Sequence, residues 1–578
     1  MKDFEIRQHN FSERVINSIF DAKEQNWPIV YQIENKGIMY IGESTNFKNR
    51  MLQHLNDERK KDLEGGVVHV IVDEMFNKSA TLDLEAFLIQ NFSAEEKYEL
   101  LNRNDGLSDR DYFDRPVYTE KFIRVWQELI NNGIASKTLD EIKNDSLYKY
   151  SPYKVLNDQQ ESVVYDVICN IDEAIAEGRK SVSVISGDAG TGKTIVIMFL
   201  TKLIADLQTF DNTHDEVDDD SRFKLFFEDD TFNRRFKDKK IALIIPQESL
   251  RGRVSKVLKN ITNRGADVRI FSPITFGKCN DYFDITLVDE GHLLKVGFTG
   301  NTGKDVKEIN KKLFDDDEIH TEFDWIMKKS NNVVIVYSED QRIRPANIEP
   351  YDIEKYNVDG VNFRNNYVLQ KQMRSLGNME YIKYVNDIFS NVNPKPCRQI
   401  FDGFEMKMFK NLPKMYELIR ARESQVGLSR VVAGFSWEWK TNPKKNLGGY
   451  DMVIDGLKLK WNSTRNNWIG SKNSIDEVGS IYTVQGEDLN YIGVIIGNDL
   501  RYRNGKLVFN KKDYADVGAL NRSQRQTAQK IVLEDEDFLE QILRVYRVLM
   551  NRAIRGVYVY ACDSGMKKYL SNFFEVCD

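Results

Sequence analysis

The chain has 578 residues, of which 41% are hydrophobic, 11% aromatic and 30% charged. This composition is typical of a soluble globular protein, and a chain of this length is expected to divide into three or four domains. The longest apolar runs are strand-length, well short of the roughly 18 residues that a membrane span needs. The N-terminal sequence also lacks the apolar segment of a secretory signal.

Charge and cysteine content set further limits on function. The net charge of −7 comes from 82 basic and 89 acidic residues, and residues 211–220 form an acidic stretch that we expect to be a solvated insertion. A basic groove can exist on an acidic chain, so net charge neither indicates nor excludes nucleic-acid binding. The five cysteines show no CxxC pairing and no nearby histidine ligands. This pattern predicts reduced thiols, no structural zinc and a cytoplasmic location.

The first 110 residues predict a small α+β domain, and residues 111–154 predict a polar, mostly helical connector. The elements expected in the small domain are a helix over residues 10–24, strands over 29–33 and 38–41, a helix over 46–57, a strand over 67–72 and a helix over 81–92. The sequence Glu-Asn-Lys-Gly at 34–37 is suited to the hairpin turn between the first two strands.

From residue 155 onward, strands and helices alternate as in parallel α/β sheets. Two such domains are predicted, at residues 155–347 and 348–578, the second with an insertion at about 437–475. Strands of the first are expected at 182–186, 241–246, 267–271, 285–289 and 333–337. Strands of the second are expected at 430–435, 480–483, 491–496 and 556–562. The predicted fold class is therefore α/β, with two parallel-sheet α/β domains after a small α+β domain.

Residues 187–194 read GDAGTGKT between an apolar strand and an apolar helix. Glycines suit this position because backbone N–H groups must turn inward around phosphate oxygens. Lys193 would reach the β- and γ-phosphates of ATP, and the Thr194 hydroxyl would bind Mg²⁺. The helix that follows would direct its positive N-terminus at the phosphates. The predicted nucleotide-binding residues are Gly187, Asp188, Ala189, Gly190, Thr191, Gly192, Lys193 and Thr194.

About a hundred residues later, the apolar strand Ile285–Val288 ends in two carboxylates, Asp289 and Glu290. A phosphate-loop enzyme needs one acid at this strand end to hold Mg²⁺ and another to orient the attacking water. Asp289 suits the first role and Glu290 the second.

Residues from about 155 to the C-terminus resemble a superfamily 1 helicase motor of the Schlafen type, which implies that both α/β domains are RecA-like. The further motifs that carry the resemblance are LNDQQ at 156–160, SEDQ at 338–341, LQKQMR at 369–374, TVQGED at 483–488 and YRVLMNR at 546–552. The resemblance implies nucleotide contacts by Gln160, Gln341, Arg374, Gly486 and Glu487. It also implies that Arg552 stabilises transition-state charge as an arginine finger, with Arg374 and Arg555 as alternatives. Ser338-Glu339 and Asn551 depart from the Gly-Asp and Thr that are frequent in such motifs.

A second group of polar residues lies near the N-terminus. Arg50 and His54, four residues apart, share one helix face beside the apolar positions Phe47, Met51 and Leu55. Glu85 shares a helix face with Leu82, Leu88, Ile89 and Phe92. A carboxylate on such a stripe is costly unless it is paired or bound to a metal, so Glu85 is a candidate site residue.

Residues 25–105, with Ile-Val-Tyr31 and Tyr40-Ile-Gly42 on the hairpin, resemble a GIY-YIG nuclease domain. The resemblance implies that Tyr40, or Tyr31 acting with His54, helps to deprotonate the attacking water. Arg50 would neutralise the scissile phosphate, Glu85 would hold one divalent metal, Mg²⁺ or Mn²⁺, and Asn102 would brace the site. The departures are Ile-Val-Tyr in place of Gly-Ile-Tyr, a short hairpin, and Glu43 after Gly42.

We therefore expect an ATP-dependent nuclease-helicase that acts on nucleic acid, with DNA favoured over RNA, in anti-phage defence or DNA repair. One alternative is a nucleotide-switched binding ATPase with a silent front domain, and another is an RNA-processing enzyme. Oligomeric state, cleavage specificity and the polarity of any movement stay open. The tryptophans of the insertion either form a stacking surface with its basic residues or pack a small core. These residues are Trp437, Trp439, Trp461 and Trp468, interleaved with Lys440, Lys444, Lys445, Lys458, Lys460 and Arg465.

Overall fold

A computed structural model describes residues 4–19, 21–102, 112–210, 223–262, 265–297, 303–316, 318–390, 394–442, 447–464 and 467–578. The acidic stretch at 211–220 and the residues Lys444, Lys445 and Arg465 lie outside these ranges. The chain forms two compact units. One comprises Met1–Ile168, Met198–Lys239 and Lys256–Asp267, and the other comprises Cys169–Ile197, Lys240–Ser255 and Val268–Asp578.

The first unit contains a five-stranded sheet in the order β1-β4-β2-β3-β5, in which only the β3–β5 pair is parallel. Its strands are β1 Glu5–Asn10, β2 Ile29–Asn35, β3 Ile38–Ser44, β4 Val67–Val72 and β5 Glu99–Leu100. Its N-terminal helices are α1 Glu13–Asn17, α2 Ala22–Gln25, α3 Phe47–Asn56, α4 Lys78–Glu95, α5 Arg115–Asn131, α6 Leu139–Asn144 and α7 Ser146–Lys149.

Both faces of this sheet are covered, and alternation along β2 shows how. Tyr31 packs in the cluster that includes Phe47 and Met51 of α3. Val30 packs in the cluster that includes Leu84 and Leu88 of α4. Successive strand residues point to opposite faces, so a site built on the Tyr31 face is backed by α3.

The hairpin and helices α3 and α4 confirm the expectations from sequence, with α4 starting three residues before the predicted 81. The predicted helix over 10–24 is wrong in part, because residues 5–10 form β1 and only α1 and α2 are helical. Strand β1 pairs with β4 along its whole length, so its conformation depends on this long-range pairing rather than on its own apolar content.

The second unit contains a six-stranded, all-parallel sheet in the order β11-β6-β10-β9-β7-β8. Its strands are β6 Lys180–Gly187, β7 Ile241–Ile244, β8 Val268–Phe271, β9 Phe283–Val288, β10 Ser330–Tyr337 and β11 Val361–Leu369. The sequence places the division between the two sheets after residue 347, whereas β11 extends the first sheet to Leu369. In a parallel sheet the carboxyl ends of the strands share one edge, and this edge holds the phosphate loop and Asp289.

The same unit contains an eight-stranded sheet in the order β14-β15-β16-β13-β17-β20-β12-β21, parallel except for β14–β15. Its strands are β12 Glu405–Phe409, β13 Ser429–Ala433, β14 Met452–Ile454, β15 Leu457–Trp461, β16 Glu477–Gly479, β17 Leu489–Ile496, β20 Ala553–Ala561 and β21 Glu575–Cys577. A separate hairpin is formed by β18 Leu500–Arg503 and β19 Lys506–Phe509. The insertion thus adds strands to this sheet, because β15 pairs with β16.

The strand predicted over 480–483 is wrong. Strand β16 ends at Gly479, and a short helix, Ile481–Val484, follows. The Thr483 side chain accepts from the Ser480 backbone N–H at 3.0 Å and fixes the first turn.

Helices of residues 158–578 complete the fold. They are α8 Asp158–Glu177, α9 Lys193–Thr209, α10 Lys224–Glu228, α11 Asp230–Phe236, α12 Glu248–Thr262, α13 Pro273–Lys278, α14 Gly303–Leu313, α15 Glu322–Lys329, α16 Pro350–Glu354, α17 Asn378–Ile388, α18 Leu412–Val426, α19 Ile481–Val484, α20 Gln524–Ala528, α21 Asp535–Met550 and α22 Ser564–Leu570. None of the helices within the described ranges has the length and apolar character needed to cross a bilayer. All five cysteines lie in described segments, and none forms a disulfide there.

Candidate nucleotide cleft and nuclease site

The phosphate loop joins β6 to α9, as its sequence predicts. Gly187, Gly190 and Gly192 adopt positive φ angles of 156°, 85° and 83°, and the last two lie in the region that side chains rarely adopt. The Lys193 ammonium donates to the carbonyls of Gly187 and Asp188, at 2.7 Å each. Burial lowers the pKa of Lys193 to about 8, Glu290 opposes this shift, and Arg374 and Arg552 add to it.

Thr194 and Asp289 form an oxygen-rich position beside this loop. The Thr194 hydroxyl donates to Asp289 Oδ1 at 3.3 Å, and Oδ2 of the same carboxylate is buried without a hydrogen-bond partner among the described residues. Burial and the charge of Glu290 raise the pKa of Asp289. A hydroxyl and a carboxylate with a spare oxygen suit Mg²⁺, which would favour the ionised acid.

Glu290 follows in a left-handed conformation, with φ 50° and ψ 41°. Such a backbone is strained for a residue other than glycine and is typical of functional positions. Nε2 of the fully buried His292 lies 3.0 Å from Glu290 Oε2. Burial works against a charge on Glu290, but the neighbouring His292, Arg552 and Lys193 lower its pKa. The carboxylate is therefore ionised.

Two arginines from outside the first sheet, Arg552 and Arg374, add positive charge near Lys193. Arg552, only 2% exposed, donates from Nη2 to Gln341 Oε1 at 3.1 Å. Arg374 forms an ion pair with Asp488 and donates to the Asn551 carbonyl at 3.3 Å. Both arginines influence the pKa of Lys193. The structure thus places Arg374 and Arg552 near enough to the phosphate loop for their charges to act on Lys193.

The segment after β11 also closes over this loop. The Gln372 side chain donates to the Ala189 carbonyl at 2.6 Å, and the Met373 backbone N–H donates to the Gly190 carbonyl at 2.8 Å. A Cβ on Gly190 would collide with Gln372. The glycine is therefore needed for this approach as well as for its backbone angle.

Gly486 and Glu487 lie on the loop after α19, where their contacts are with protein groups. Gly486 has a φ of 82°, and a Cβ there would lie 2.8 Å from Gln247 Oε1. Glu487, 2% exposed, is ion-paired with Arg253. The neighbouring Gln485 donates to the Gln341 carbonyl at 3.3 Å. This loop therefore contacts the segment that carries Gln341.

Gln160 belongs to the first unit and caps α8. Its Oε1 accepts from the Asn157 N–H at 3.1 Å, and its own N–H donates to Asn157 Oδ1 at 3.0 Å. Contact with an adenine stays a prediction for this residue.

The N-terminal site is centred on Tyr31, which has no exposed surface. Its hydroxyl lies 2.7 Å from Nε2 of His54, and Nδ1 of the same ring lies 2.8 Å from the Lys60 ammonium. Burial and the charge of Tyr40 raise the pKa of Tyr31 well above its usual value, and the nearby Arg50 opposes this shift. Burial and the charges of Lys60 and Arg50 lower the pKa of His54 to about 2, so this imidazole is neutral.

Gly42 is required by the same arrangement. It lies directly opposite Tyr31 in the β2–β3 register, and a Cβ at this position would collide with the Tyr31 hydroxyl. Asn102 then ties the strand in place, because its amide donates to the Ile41 carbonyl at 2.7 Å and accepts from the Ile41 N–H at 3.0 Å.

Tyr40 and Glu85 are half-buried, unlike Tyr31. Tyr40 has its ring 4.9 Å from that of His54 and 4.0 Å from the Lys60 ammonium. The charge of Glu85 contributes to the raised pKa of Tyr31. The side chains of Tyr31, Tyr40 and His54 thus lie together, and Arg50 and Glu85 are near enough for their charges to act on Tyr31. The Glu85 carboxylate offers oxygen ligands of the type that divalent cations prefer.

Two family models match the segments of the chain that carry these residues. The family model for the Schlafen group 3 DNA/RNA helicase domain matches residues 180–563. The chain belongs to this family. The model for the GIY-YIG catalytic domain matches residues 28–99, so this Schlafen group 3 protein carries a GIY-YIG nuclease domain in front of its helicase domain.

Individual relatives are distant. An uncharacterized protein of Saccharomyces cerevisiae, YPL245W, is 24% identical over 67% of this chain and 83% of its own length. The arterivirus nonstructural protein 10 helicase gives a TM-score of 0.26 at 9% identity, covering 70% of this chain and 63% of that one. S. cerevisiae Dbp5, bound to Nup159, Gle1, IP6 and ADP, gives a TM-score of 0.30 at 9% identity, covering 73% and 94%. Neither structural likeness is close enough to bear on function.

Sequence reasoning on this Schlafen group 3 protein missed several polar residues at the two sites. They are Lys60, Arg253, His292 and Gln372. His292 could have been found from its position two residues after Glu290, and Gln372 from its place in the motif that contains Arg374. Lys60 and Arg253 leave no local signal, because their contacts depend on the folded chain.

Proposed function

We propose that this protein is an ATP-dependent nuclease-helicase, in which the GIY-YIG domain cleaves nucleic acid and ATP hydrolysis in the helicase domain gates that cleavage. The observation that carries the proposal is the presence of two assembled sites in one chain. One is the group around Tyr31, and the other is the group around Lys193. We retain the division into residues 1–110, 111–154, 155–347 and 348–578 as a working domain scheme, with the first sheet extended to Leu369.

In the helicase domain, Lys193 would bind the β- and γ-phosphates, and Glu290 would orient the attacking water. Arg552 would neutralise charge that develops on the transferred phosphoryl group. Gln341, bonded to Arg552, would report the presence of the γ-phosphate. Thr194 and Asp289 would hold Mg²⁺, which neutralises phosphate charge when it is bound.

In the nuclease domain, Arg50 would neutralise the scissile phosphate and Glu85 would hold one divalent cation. That cation polarises the phosphoryl oxygen and stabilises the leaving group when it is bound. Tyr31 is fully buried, so Tyr40 is the phenol with access to the attacking water. Tyr31 and His54 would then hold Arg50 and Tyr40 in position.

We propose DNA rather than RNA as the substrate, and anti-phage defence or DNA repair as the setting. The setting is supported by an argument about regulation. An intracellular nuclease in one chain needs a gate, and nucleotide-controlled closure supplies one. This part of the proposal rests on architecture, which supports function only by analogy.

The test is cleavage of matched DNA and RNA strands, single and double, with Mg²⁺ and with or without ATP. Glu85→Gln should abolish cleavage and keep ATP hydrolysis, whereas Lys193→Ala should abolish hydrolysis and alter cleavage. Glu74→Gln and Lys278→Ala change exposed side chains, 80% and 48% exposed, and serve as matched controls.

Cleavage that survives Glu85→Gln would contradict the proposed nuclease site. Absence of cleavage in every condition, with strand-stimulated ATP hydrolysis intact, would favour the nucleotide-switched binding ATPase. Faster cleavage of RNA would favour the RNA-processing enzyme.

A further inference from the structure

The eight-stranded sheet carries an aromatic pocket that neither proposed active site uses. Its volume is about 160 Å³. Its apolar walls are the side chains of Phe435, Trp437, Trp439, Trp461 and Tyr482.

Contacts within the fold hold these walls in place. The ring of Trp461, 2% exposed, lies 5.5 Å from that of Phe435, which lies 5.2 Å from that of Tyr482. The Trp461 indole N–H donates to the Trp437 carbonyl at 3.2 Å. The Asp451 carboxylate accepts from the Trp461 backbone N–H at 2.8 Å and from the Thr441 backbone N–H at 2.9 Å. The pocket is therefore largely preformed.

Trp437 and Trp439 are only half-buried, in contrast to Trp461 and Trp468. Phe435 and Tyr482 are half-buried as well, so these four side chains form the part of the aromatic lining that solvent reaches. Trp468 is instead packed beneath Gly479, where a Cβ would collide with its ring. Of the four tryptophans of the insertion, Trp437, Trp439 and Trp461 thus line the pocket, and Trp468 packs the core.

Polar groups complete the lining. They are Asn462, Ser480, Thr483 and Asp516, which offer both donors and acceptors. Asp516 accepts from the Tyr482 hydroxyl at 2.7 Å, and the Arg344 guanidinium lies 4.4 Å from the centre of the Tyr482 ring. A small apolar pocket with a few converging polar groups is typical of a site for one planar ligand.

We propose that this pocket binds one unstacked nucleobase of a single-stranded nucleic acid. Every base has a π-face that can stack on tryptophan, and a base edge can hydrogen-bond to the polar groups named above. Arg344 adds positive charge suited to the phosphate backbone. The proposal rests on the nucleic-acid-directed function proposed above and adds the place and mode of strand binding.

The pocket is connected to the nucleotide cleft through α19. Tyr482 and Thr483 line the pocket, and Gln485, two residues later, donates to the carbonyl of Gln341. Gln341 in turn accepts from Arg552. A base that moves Tyr482 therefore acts on the residues that surround the γ-phosphate, which makes strand binding a stimulus of ATP hydrolysis.

The experiment uses the full chain and two strands of equal length, oligothymidylate of 12 nucleotides and the same backbone with abasic units. Binding is followed by fluorescence anisotropy and by quenching of tryptophan fluorescence. The variant is Trp437→Ala combined with Trp439→Ala, and the control is Tyr351→Ala, an aromatic residue that is 64% exposed elsewhere in this unit. Thermal unfolding of each variant checks that it folds.

The expected result is a loss of about tenfold or more in affinity for the base-bearing strand in the double variant. Affinity for the abasic strand should not change, and the ratio of strand-stimulated to basal ATP hydrolysis should fall. The control should behave as the native protein does.

Equal loss for both strands, or no loss for either, would overturn the pocket while leaving nucleic-acid binding in place. A native protein that binds neither strand would overturn the proposed function together with the pocket. A double variant that does not fold is replaced by Trp437→Phe with Trp439→Phe, which keeps a stacking ring. In that variant, strand binding must persist while the quenching signal falls.

Discussion

The Lys60 ammonium lies 2.8 Å from Nδ1 of His54, on the side of the ring opposite to Tyr31. An ammonium group can only donate, so Nδ1 must accept and the proton of the neutral imidazole must sit on Nε2. Nε2–H then donates to the Tyr31 oxygen. Lys60 therefore fixes the tautomer through which His54 holds Tyr31, and it is a positioning residue for the nuclease site.

Lys60→Met should remove this control and leave both tautomers of His54 populated. We expect cleavage to fall about tenfold, mainly in kcat, because the substrate-binding charges are kept. Nitrogen chemical shifts of the His54 ring, measured by NMR, would report the tautomer directly. Lys61→Met changes the adjacent lysine, whose side chain is 64% exposed, and should have no effect on either readout. Unchanged ring shifts in Lys60→Met would contradict the assignment.

Burial of His54 also predicts a pH dependence of stability. Its pKa is lowered from 6.5 to about 2 in the folded state, first by burial and then by Lys60 and Arg50. Below pH 6.5 the unfolded chain takes up a proton that the folded chain does not. Stability contributed by the neutral ring is therefore full above pH 6.5 and falls as pH drops below it, by about 1.4 kcal/mol per pH unit.

Hydrogen-exchange protection of the β2 and β4 amides at pH 6.5, 5.5 and 4.5 would measure this effect. Protection, corrected for the intrinsic rates, should fall with pH in the native protein and change less in His54→Gln. A slope of the same size in both proteins would assign the acid sensitivity to other groups.

Asp83 and Glu85 lie two residues apart on α4 and should respond differently to the same change. Asp83 is 8% exposed and accepts from the Tyr112 hydroxyl at 2.9 Å and from Arg115 at 3.2 Å. Asp83→Asn should lower the free energy of unfolding by about 1–3 kcal/mol and keep cleavage at permissive temperature. Glu85→Gln should abolish metal-dependent cleavage with little change in stability.

Thermal unfolding and Mg²⁺-dependent cleavage of both variants would separate the two roles. Loss of cleavage in Asp83→Asn at a temperature where that variant is folded would show that Asp83 also serves the site. A large loss of stability in Glu85→Gln would indicate that Glu85 is structural.

Local sequence was sufficient for the parts of these sites that lie on one loop or one helix. The phosphate loop, Asp289 and Glu290 follow apolar strands directly, so a parallel sheet brings them to one edge. The same holds for Gly42 on the hairpin, whose steric role follows once Tyr31 is placed opposite it. The α/β fold class and the positions of the predicted strands other than 480–483 are accordingly confirmed.

Elements whose conformation depends on distant partners could not be predicted in this way. Strand β1, with the sequence EIRQHN, has one apolar side chain and is held by pairing with β4. Strand β11 joins the first sheet although it follows the predicted division at 347. The predicted strand over 480–483 contains β-branched and aromatic residues, but the cap formed by Ser480 and Thr483 starts a helix there.

Arg552 provides the last prediction, because the sequence left Arg374 and Arg555 as alternatives for the arginine finger. Arg552 alone among the three donates to Gln341, and it influences the pKa of both Glu290 and Lys193. Arg374 is engaged with Asp488 and with the Asn551 carbonyl.

We therefore expect Arg552→Ala to lower kcat for ATP hydrolysis by about 10³-fold or more, with KM for ATP little changed. Arg555→Ala, three residues later on β20, is the matched control and should keep kcat within a few-fold of the native value. A larger loss in Arg555→Ala than in Arg552→Ala would reverse the assignment, because the finger must be the residue whose charge acts only in the transition state.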